Sequence, residues 1–360
     1  MPLIEVASSR EQRNATRSEN REIWDTLRVS GPLRFRLLFL EYESPLNSSF
    51  WIFPMPPENY AFVMNLASLP AENYTLAPGH VLRRATREEI GVIKQTVERL
   101  GGMLQPYFMS LWESEWPRPQ GRVRILPESR WRYFVIGFRG NNATMCDIEA
   151  ASDLAPVELE VGFTIVLEMG GVGSMFHEAR IFHVLEDART RDAFFVHVSE
   201  GDLQEIINIS SQLQRTEGQL IDIKRLSNQV GQLKGFPHQS PLRFLGYFAV
   251  LESLLTHPPK GTDPYDSVTR QVKKKISLLD NRWTRRIDYS LFGGGAPDTV
   301  WNKMYAYRSL LAHGGSTNFT GDLTTLGSHD QALQLVKETV KAVIRQALIE
   351  PRLLLDLREC

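Results

Sequence analysis

Cysteine is scarce in this sequence: 360 residues include two, Cys146 and Cys360. Two thiols cannot build a disulfide scaffold or a four-cysteine zinc site. Long apolar runs are also missing. None reaches the roughly 18 residues expected of a membrane-spanning helix. The segment from Met1 to Glu22 is polar and mixed in charge, without the apolar core of a secretory signal. A cytoplasmic protein with no membrane partner is the expectation, and in such a chain the Asn47-Ser48-Ser49 and Asn73-Tyr74-Thr75 triplets carry no glycan meaning. Charge of one sign is not in excess either. Basic residues number 41 and acidic residues 42, a net charge of −1, so a nucleic-acid site would have to be a local patch. No internal repeat is present. What the chain does have is 42% hydrophobic and 23% charged residues, the balance of a soluble globular protein. Its length suits two domains, or one large one, with a sizeable core.

The two parts of the chain differ in pattern. Up to Val198 the apolar segments read as strands. Leu33 to Leu37 alternates with period two, Trp131 to Ile136 is aromatic and β-branched, and Glu158 to Val161 alternates before an apolar run to Leu167. Arg180 to Leu185 and Phe194 to Val198 complete the set. Proline-rich clusters separate them, as at Phe53 to Pro57 and Trp116 to Pro119. One helix interrupts: Thr86-Arg87-Glu88-Glu89 is a capping box, Ile90, Ile93, Val97 and Leu100 share a face, and Gly101-Gly102 stops it. The aromatic side chains of the loops, Trp51, Phe53, Trp112 and Trp116, read as core and turn residues, with a sensor surface as the alternative.

From Ser199 the pattern turns helical. Ser199-Glu200-Gly201-Asp202 opens a long, rather polar helix towards Leu233. Ser240-Pro241 starts a helix to about Thr256, and Asp263-Pro264 one to about Leu279. A further helix runs from Asp298 to His313-Gly314-Gly315. Ser328 to Gln331 caps the last, which must break or kink at Pro351. The Tyr289 to Pro297 stretch, with Gly293, Gly294 and Gly295, reads as a mobile loop. The expected fold class is therefore α+β: a β-rich domain over residues 1–198, with a sensing or regulatory role, followed by an α-helical domain over 199–360.

The sharpest chemical feature is Tyr307-Arg308-Ser309-Leu310-Leu311-Ala312-His313-Gly314-Gly315. At about 100° per residue, Arg308 and His313 lie roughly 140° apart and flank one side of a helix end. Read without further context, this is a helix C-terminus with a basic residue and glycine caps. Glu252 carries a second signal. It shares a helical face with Leu245, Phe248, Ala249 and Leu255, and a carboxylate in an apolar stripe is costly unless paired. An ion pair, with Arg308 or His313 as partner, is the expectation.

The segment resembles the R-x4-H motif of the HEPN superfamily (higher eukaryotes and prokaryotes nucleotide-binding), in particular its Apea-like branch. The helix Leu242 to Leu255, aromatic with an embedded glutamate, is similar to that branch as well, so the resemblance covers roughly residues 200–350. It implies an all-α HEPN bundle after the β-rich domain. The implied activity is a metal-independent endoribonuclease, with Arg308, His313, Glu252 and Ser309 as catalytic residues and no cofactor. The RNA 2′-hydroxyl would attack the adjacent phosphate to leave a 2′,3′-cyclic phosphate. Such chemistry uses histidine for proton transfer and arginine for the charge developing on phosphate. Ser309 stands where the family often has asparagine or another polar residue, a modest departure that leaves His313 a hydroxyl within reach. The resemblance points to antiphage defence or a toxin-like stress response. Implied partners are RNA, a second copy of the chain through the helical domain, and a phage-derived or antitoxin regulator. The alternative is a non-catalytic HEPN module that dimerises or binds RNA. Gly315 occupies the place of the tyrosine in R-x4-H-x-Tyr toxins, against regulation by nucleotidylation.

A basic cluster accompanies the motif. Lys273, Lys274, Lys275, Arg282, Arg285 and Arg286 fall within 14 positions, with Trp283 among them. It reads as a solvated face or as a track for RNA phosphates with a stacking surface. Other signals are weaker. Gly170 to Ser174 lacks the Lys-Ser/Thr of a phosphate loop and reads as a hairpin turn, and His177, His183 and His197 lack metal-ligand spacing.

Overall fold

The structure, a computed structural model, describes residues 58–100, 111–115, 124–139, 142–168, 171–176, 181, 194–215, 221–258 and 267–359. Its strands are β1 (Asn59–Val63), β2 (Leu66–Ser68), β3 (Asn73–Ala77), β4 (His80–Arg84), β5 (Ser114–Glu115), β6 (Arg124–Ile125), β7 (Phe134–Phe138), β8 (Val161–Glu168), β9 (Gly171–Phe176) and β10 (Val196–His197). Its helices are α1 (Arg87–Leu100), α2 (Ala143–Leu154), α3 (Glu200–Gln214), α4 (Ile221–Leu233), α5 (Pro241–Leu255), α6 (Val268–Asp280), α7 (Pro297–Ala312), α8 (His329–Ile349) and α9 (Pro351–Glu359). The class is α+β. Six strands form an antiparallel sheet in the order β3-β4-β7-β1-β8-β9. No helix of the described residues is long and apolar enough to cross a membrane.

The central strands are buried on both faces, and their period-two alternation sorts the side chains into two cores. Ala61, Val63, Phe134, Ile136 and Phe138 point to one face, where they join α2 and the helices from α3 onward. Tyr60, Phe62, Tyr133 and Val135 point to the other, where Ile93 and Val97 of α1, Trp112 and Ile181 cover them. Trp112 serves as core, its ring 5.2 Å from Phe62 and its indole N–H donated to the Met64 carbonyl at 2.7 Å. The boundary expected at 198/199 marks where strands give way to helices, and one core crosses it: the cluster holding Ala61 and Ile136 also holds Leu203, Phe244 and Val340. Residues 50–360 accordingly form one compact unit.

Several sequence expectations need correction. The single helix expected from Ser199 to Leu233 is two. The stripe Leu203, Ile206, Ile209 and Leu213 is buried, but positions 216 and 217, where it would continue, hold Thr and Glu. Helix α2 was not expected. Its second half buries Ser152 and Asp153 beside Ala151 and Leu154, so no clean apolar stripe marks it. The Tyr289 to Pro297 stretch is anchored, with Phe292 buried and the Tyr289 hydroxyl accepting from the Trp301 indole at 3.0 Å. Gly293 and Gly294 there adopt the left-handed turn that glycine permits. The described part of α6 begins with Ser267 as its cap. The break at Pro351, between α8 and α9, is as expected. Expectations on Leu33 to Leu37, Trp51, Phe53, Pro54 to Pro57, Gly101-Gly102, Trp116 to Pro119, Gly170, His177, Arg180, Phe182 to Leu185 (with His183) and Asp263-Pro264 lie outside the described residues.

A buried charge cluster closes the seam between sheet and helices. Lys234, just after α4, reaches Asp153 of α2 at 2.6 Å, Glu158 at 2.7 Å and Glu160 at 2.9 Å. Lys337 and Lys341 of α8 reach the same Glu158 at 2.6 and 2.8 Å. Gly231 admits the Asp153 carboxylate, since a Cβ there would lie 2.6 Å from its oxygen. Burial pushes the Glu158 carboxyl up, but the three ammonium groups outweigh it and hold the group well below the usual carboxylate range.

Candidate functional site

Helix α7 is held against α5 by aromatic packing. Pro297 pre-sets its first turn. Val300, Trp301, Met304 and Tyr307 form its buried face, at i, i+1, i+4 and i+7. On α5, Phe244 meets Tyr307 with ring centres 4.8 Å apart, and Phe248 meets Tyr305 at 5.3 Å and Trp301 at 6.2 Å. Behind them the Tyr307 hydroxyl and His329 Nδ1 lie 2.7 Å apart, while His329 Nε2 is 3.1 Å from the His238 carbonyl. A carbonyl can only accept, so Nε2 carries the proton and Nδ1 accepts from Tyr307. These contacts fix the rotation of α7.

Arg308 follows Tyr307 and therefore emerges on the flank of that face. It meets Glu252, one turn beyond Phe248 on α5: Arg308 Nη2 donates to Glu252 Oε2 at 3.2 Å. The side chains are 38% and 20% exposed respectively, so the pair sits at the edge of the bundle with the guanidinium partly open to solvent. Glu252 is thus half-buried at the rim of the apolar stripe, and Ala249 on that stripe is exposed. Tyr305 completes the group. Burial, reinforced by Glu252, holds its phenol well above the ordinary value, and its hydroxyl has no hydrogen-bond partner among the described residues.

His313 caps the C-terminus of α7. Its backbone N–H bonds the Ser309 carbonyl at 3.1 Å, Gly314 N–H the Leu311 carbonyl at 3.3 Å, and Gly315 N–H the Leu310 carbonyl at 2.8 Å. Gly314 has φ of 67°, so this is a left-handed glycine cap that fixes where His313 stands. The His313 side chain is exposed, as is Ser309. The hydroxyl contact expected between them is replaced by the backbone bond, and no described side chain orients the imidazole. Gly314→Ala is expected to cost about 1–2 kcal/mol, because a Cβ strains the left-handed conformation. A urea melt measures the loss, and any activity that depends on the position of His313 should fall with it.

The basic cluster is placed unevenly. Lys273 is spent on α7, its Nζ 2.9 Å from Asn302 Oδ1 and 3.4 Å from the Asp298 carboxylate. Lys275 is 6% exposed and Trp283 8% exposed. Trp283 cannot be the stacking surface that its neighbours suggested: its backbone N–H turns back to the Leu279 carbonyl at 3.1 Å, and its ring is in the core. Lys274, Arg282, Arg285 and Arg286 are exposed, with Arg282 paired to Glu350 at 2.6 Å. Lys273 joins α7 near its start, whereas His313 lies at its end, about 20 Å away at 1.5 Å per residue. The structure therefore brings Arg308 to Glu252, and leaves the basic cluster as a separate surface. Tyr305 is the member of the site that the sequence reading passed over. Its position three before Arg308, and one helical turn from it, was the available signal.

Among the described residues, no group of three or more His, Cys, Asp or Glu side chains is placed to hold a metal ion. No family model, curated protein or solved structure matches the chain.

Proposed function

We propose that the protein is an endoribonuclease of the HEPN type, working without a metal and centred on Arg308 and His313. The observation that carries this reading is the Arg308–Glu252 contact at 3.2 Å, with the exposed imidazole of His313 on the same helix end. The pairing gives each motif residue a task. Glu252 orients the guanidinium and leaves its remaining donors for phosphate oxygens. His313 takes the proton from the RNA 2′-hydroxyl as the O2′–P bond forms. The O5′–P bond breaks, and the leaving O5′ receives a proton from an acid. The products are a 2′,3′-cyclic phosphate and a 5′-hydroxyl end.

One imidazole with no orienting side chain among the described residues is a thin apparatus for two proton transfers. A second copy of the chain, docked through the helices so that two motifs line one cleft, would supply the missing donor. Because one core crosses residue 198, the full chain is the material for the test. RNA cleavage in EDTA, with analysis of the new 3′ ends, is expected to yield cyclic phosphates from a dimer by light scattering. Activity abolished by EDTA would overturn the reading. Full activity in a strict monomer would remove the shared cleft. Biological settings consistent with such an enzyme are antiphage defence and toxin-like stress responses, where cleavage is held back until a trigger arrives.

A further inference from the structure

A pocket of about 280 Å³ opens on the strand half, between the β2–β10 pair and the turn that leads into β7. Arg84, Arg130, Arg132, His197, Glu115 and Phe195 line it. Hydrogen bonds hold the scaffold beneath the arginines. Arg130 ends a 3₁₀ turn whose backbone closes on Pro127 at 2.8 Å, and Arg132 N–H is donated to the Trp112 carbonyl at 3.0 Å. Between them, the Trp131 indole donates to the Leu126 carbonyl at 3.1 Å. Arg84 ends β4 opposite Phe134, and its Nη1 donates to the Trp131 carbonyl at 2.7 Å. On the far wall, the parallel β2–β10 pair presents His197, whose Nδ1 is 2.8 Å from the Ser68 hydroxyl.

The charge of this pocket is unbalanced. Arg132 lies 4.3 Å above the Phe195 ring and 3.6 Å from Glu115. Burial pulls its pKa down, with Glu115 opposing, which marks a guanidinium partly stripped of water. Arg84 and Arg130 have no carboxylate partner among the described residues, although a carboxylate from Glu128 lies in the same turn and is engaged by Arg87 at 2.8 Å. Three guanidinium groups thus face one cavity with a single carboxylate. Arg84 and Arg130 are exposed at the mouth while Arg132 is half-buried. Like charges gathered at one cavity repel, and a multidentate anion offsets that cost. Guanidinium forks match phosphate oxygens in pairs. The volume, about 280 Å³, falls just below the roughly 300–1,000 Å³ of drug-sized sites, so it fits a ligand of mononucleotide size or less.

We propose that this pocket binds a small phosphorylated molecule, with its phosphoryl group between Arg84, Arg130 and Arg132 and its apolar part against Phe195. The site is independent of the Arg308 and His313 reading and is tested by binding alone. Calorimetric titration of the full chain with AMP, ribose 5-phosphate and inorganic phosphate is expected to give saturable binding, with adenosine and ribose silent. Arg130→Ala and Arg132→Gln should each weaken binding by about tenfold or more, as loss of a charge-assisted hydrogen bond requires. Arg130 is exposed in its turn, so its truncation leaves the fold intact. Arg352→Ala, an exposed change on α9, should keep the affinity within about twofold. The proposal is overturned if no phosphate compound binds, if adenosine binds as tightly as AMP, or if the two pocket variants bind like the parent.

Discussion

His313→Ala is expected to lower RNA cleavage by about 100-fold or more, since removal of a general acid–base typically costs 10²–10⁴. The variant should fold normally, because the His313 side chain is exposed and its contribution to the helix cap is made by backbone groups. Arg308→Lys is expected to lose much of the activity as well. Lysine keeps the charge but not the planar fork that can hold Glu252 and a phosphate oxygen together. Glu252→Gln separates two roles for the carboxylate: a mild effect means that it orients Arg308, and a severe one that it takes the proton. Single-turnover cleavage in EDTA, with circular dichroism to verify folding, measures all three. Full activity in the His313 variant would remove the motif from the catalytic centre and leave the binding or dimerising module as the better reading.

The site was legible in the sequence where the signal was local. Ser240-Pro241 and the glycines after His313 marked the ends of α5 and α7, and both helices run close to those limits. The expectation that Glu252 needs a cation followed from one carboxylate in an apolar stripe, and Arg308 supplies it. Long-range neighbourhoods were not legible. Trp283 looked like a companion of its basic neighbours, yet a single backbone turn sends it into the core. Arg84 reaches the pocket of Arg130 and Arg132 through the β4–β7 pairing, which no sequence periodicity encodes. Helix α2 was hidden for a related reason: its buried Ser152 and Asp153 look like surface residues until their partners are known. Ser152 bonds both the N–H and the carbonyl of Leu159, and Asp153 pairs with Lys234.

That hidden cluster carries the largest expected effect on stability. Glu158→Gln should destabilise the fold by about 3–5 kcal/mol at neutral pH, the range for breaking a buried charge pair from one side. The reason is convergence: Lys234, Lys337 and Lys341 all lie within 2.8 Å of this one carboxylate, and Lys341 has a fully buried side chain. Substitution leaves Lys234 facing Asp153 and Glu160 and Lys341 facing Glu338 at 3.5 Å, without the one carboxylate that joins all three ammonium groups. By contrast, Arg282→Ala removes an ion pair whose partners are 48% and 43% exposed, and should cost about 1 kcal/mol or less. The pH dependence distinguishes charge from shape. The Glu158 pKa is depressed in the folded state, so its contribution is complete above the unfolded value of about 4.3 and is lost as pH falls through the folded value. Burial lowers the Lys337 pKa and Glu158 raises it, with a net rise. Its contribution is therefore complete below about 10.4 and is lost as pH rises through the folded value. Urea unfolding of the parent and Glu158→Gln should thus differ most between about pH 5 and pH 10, and the two curves should converge in acid. An equal gap at pH 3 and pH 7 would mean that packing around residue 158, and not its charge, holds sheet and helices together.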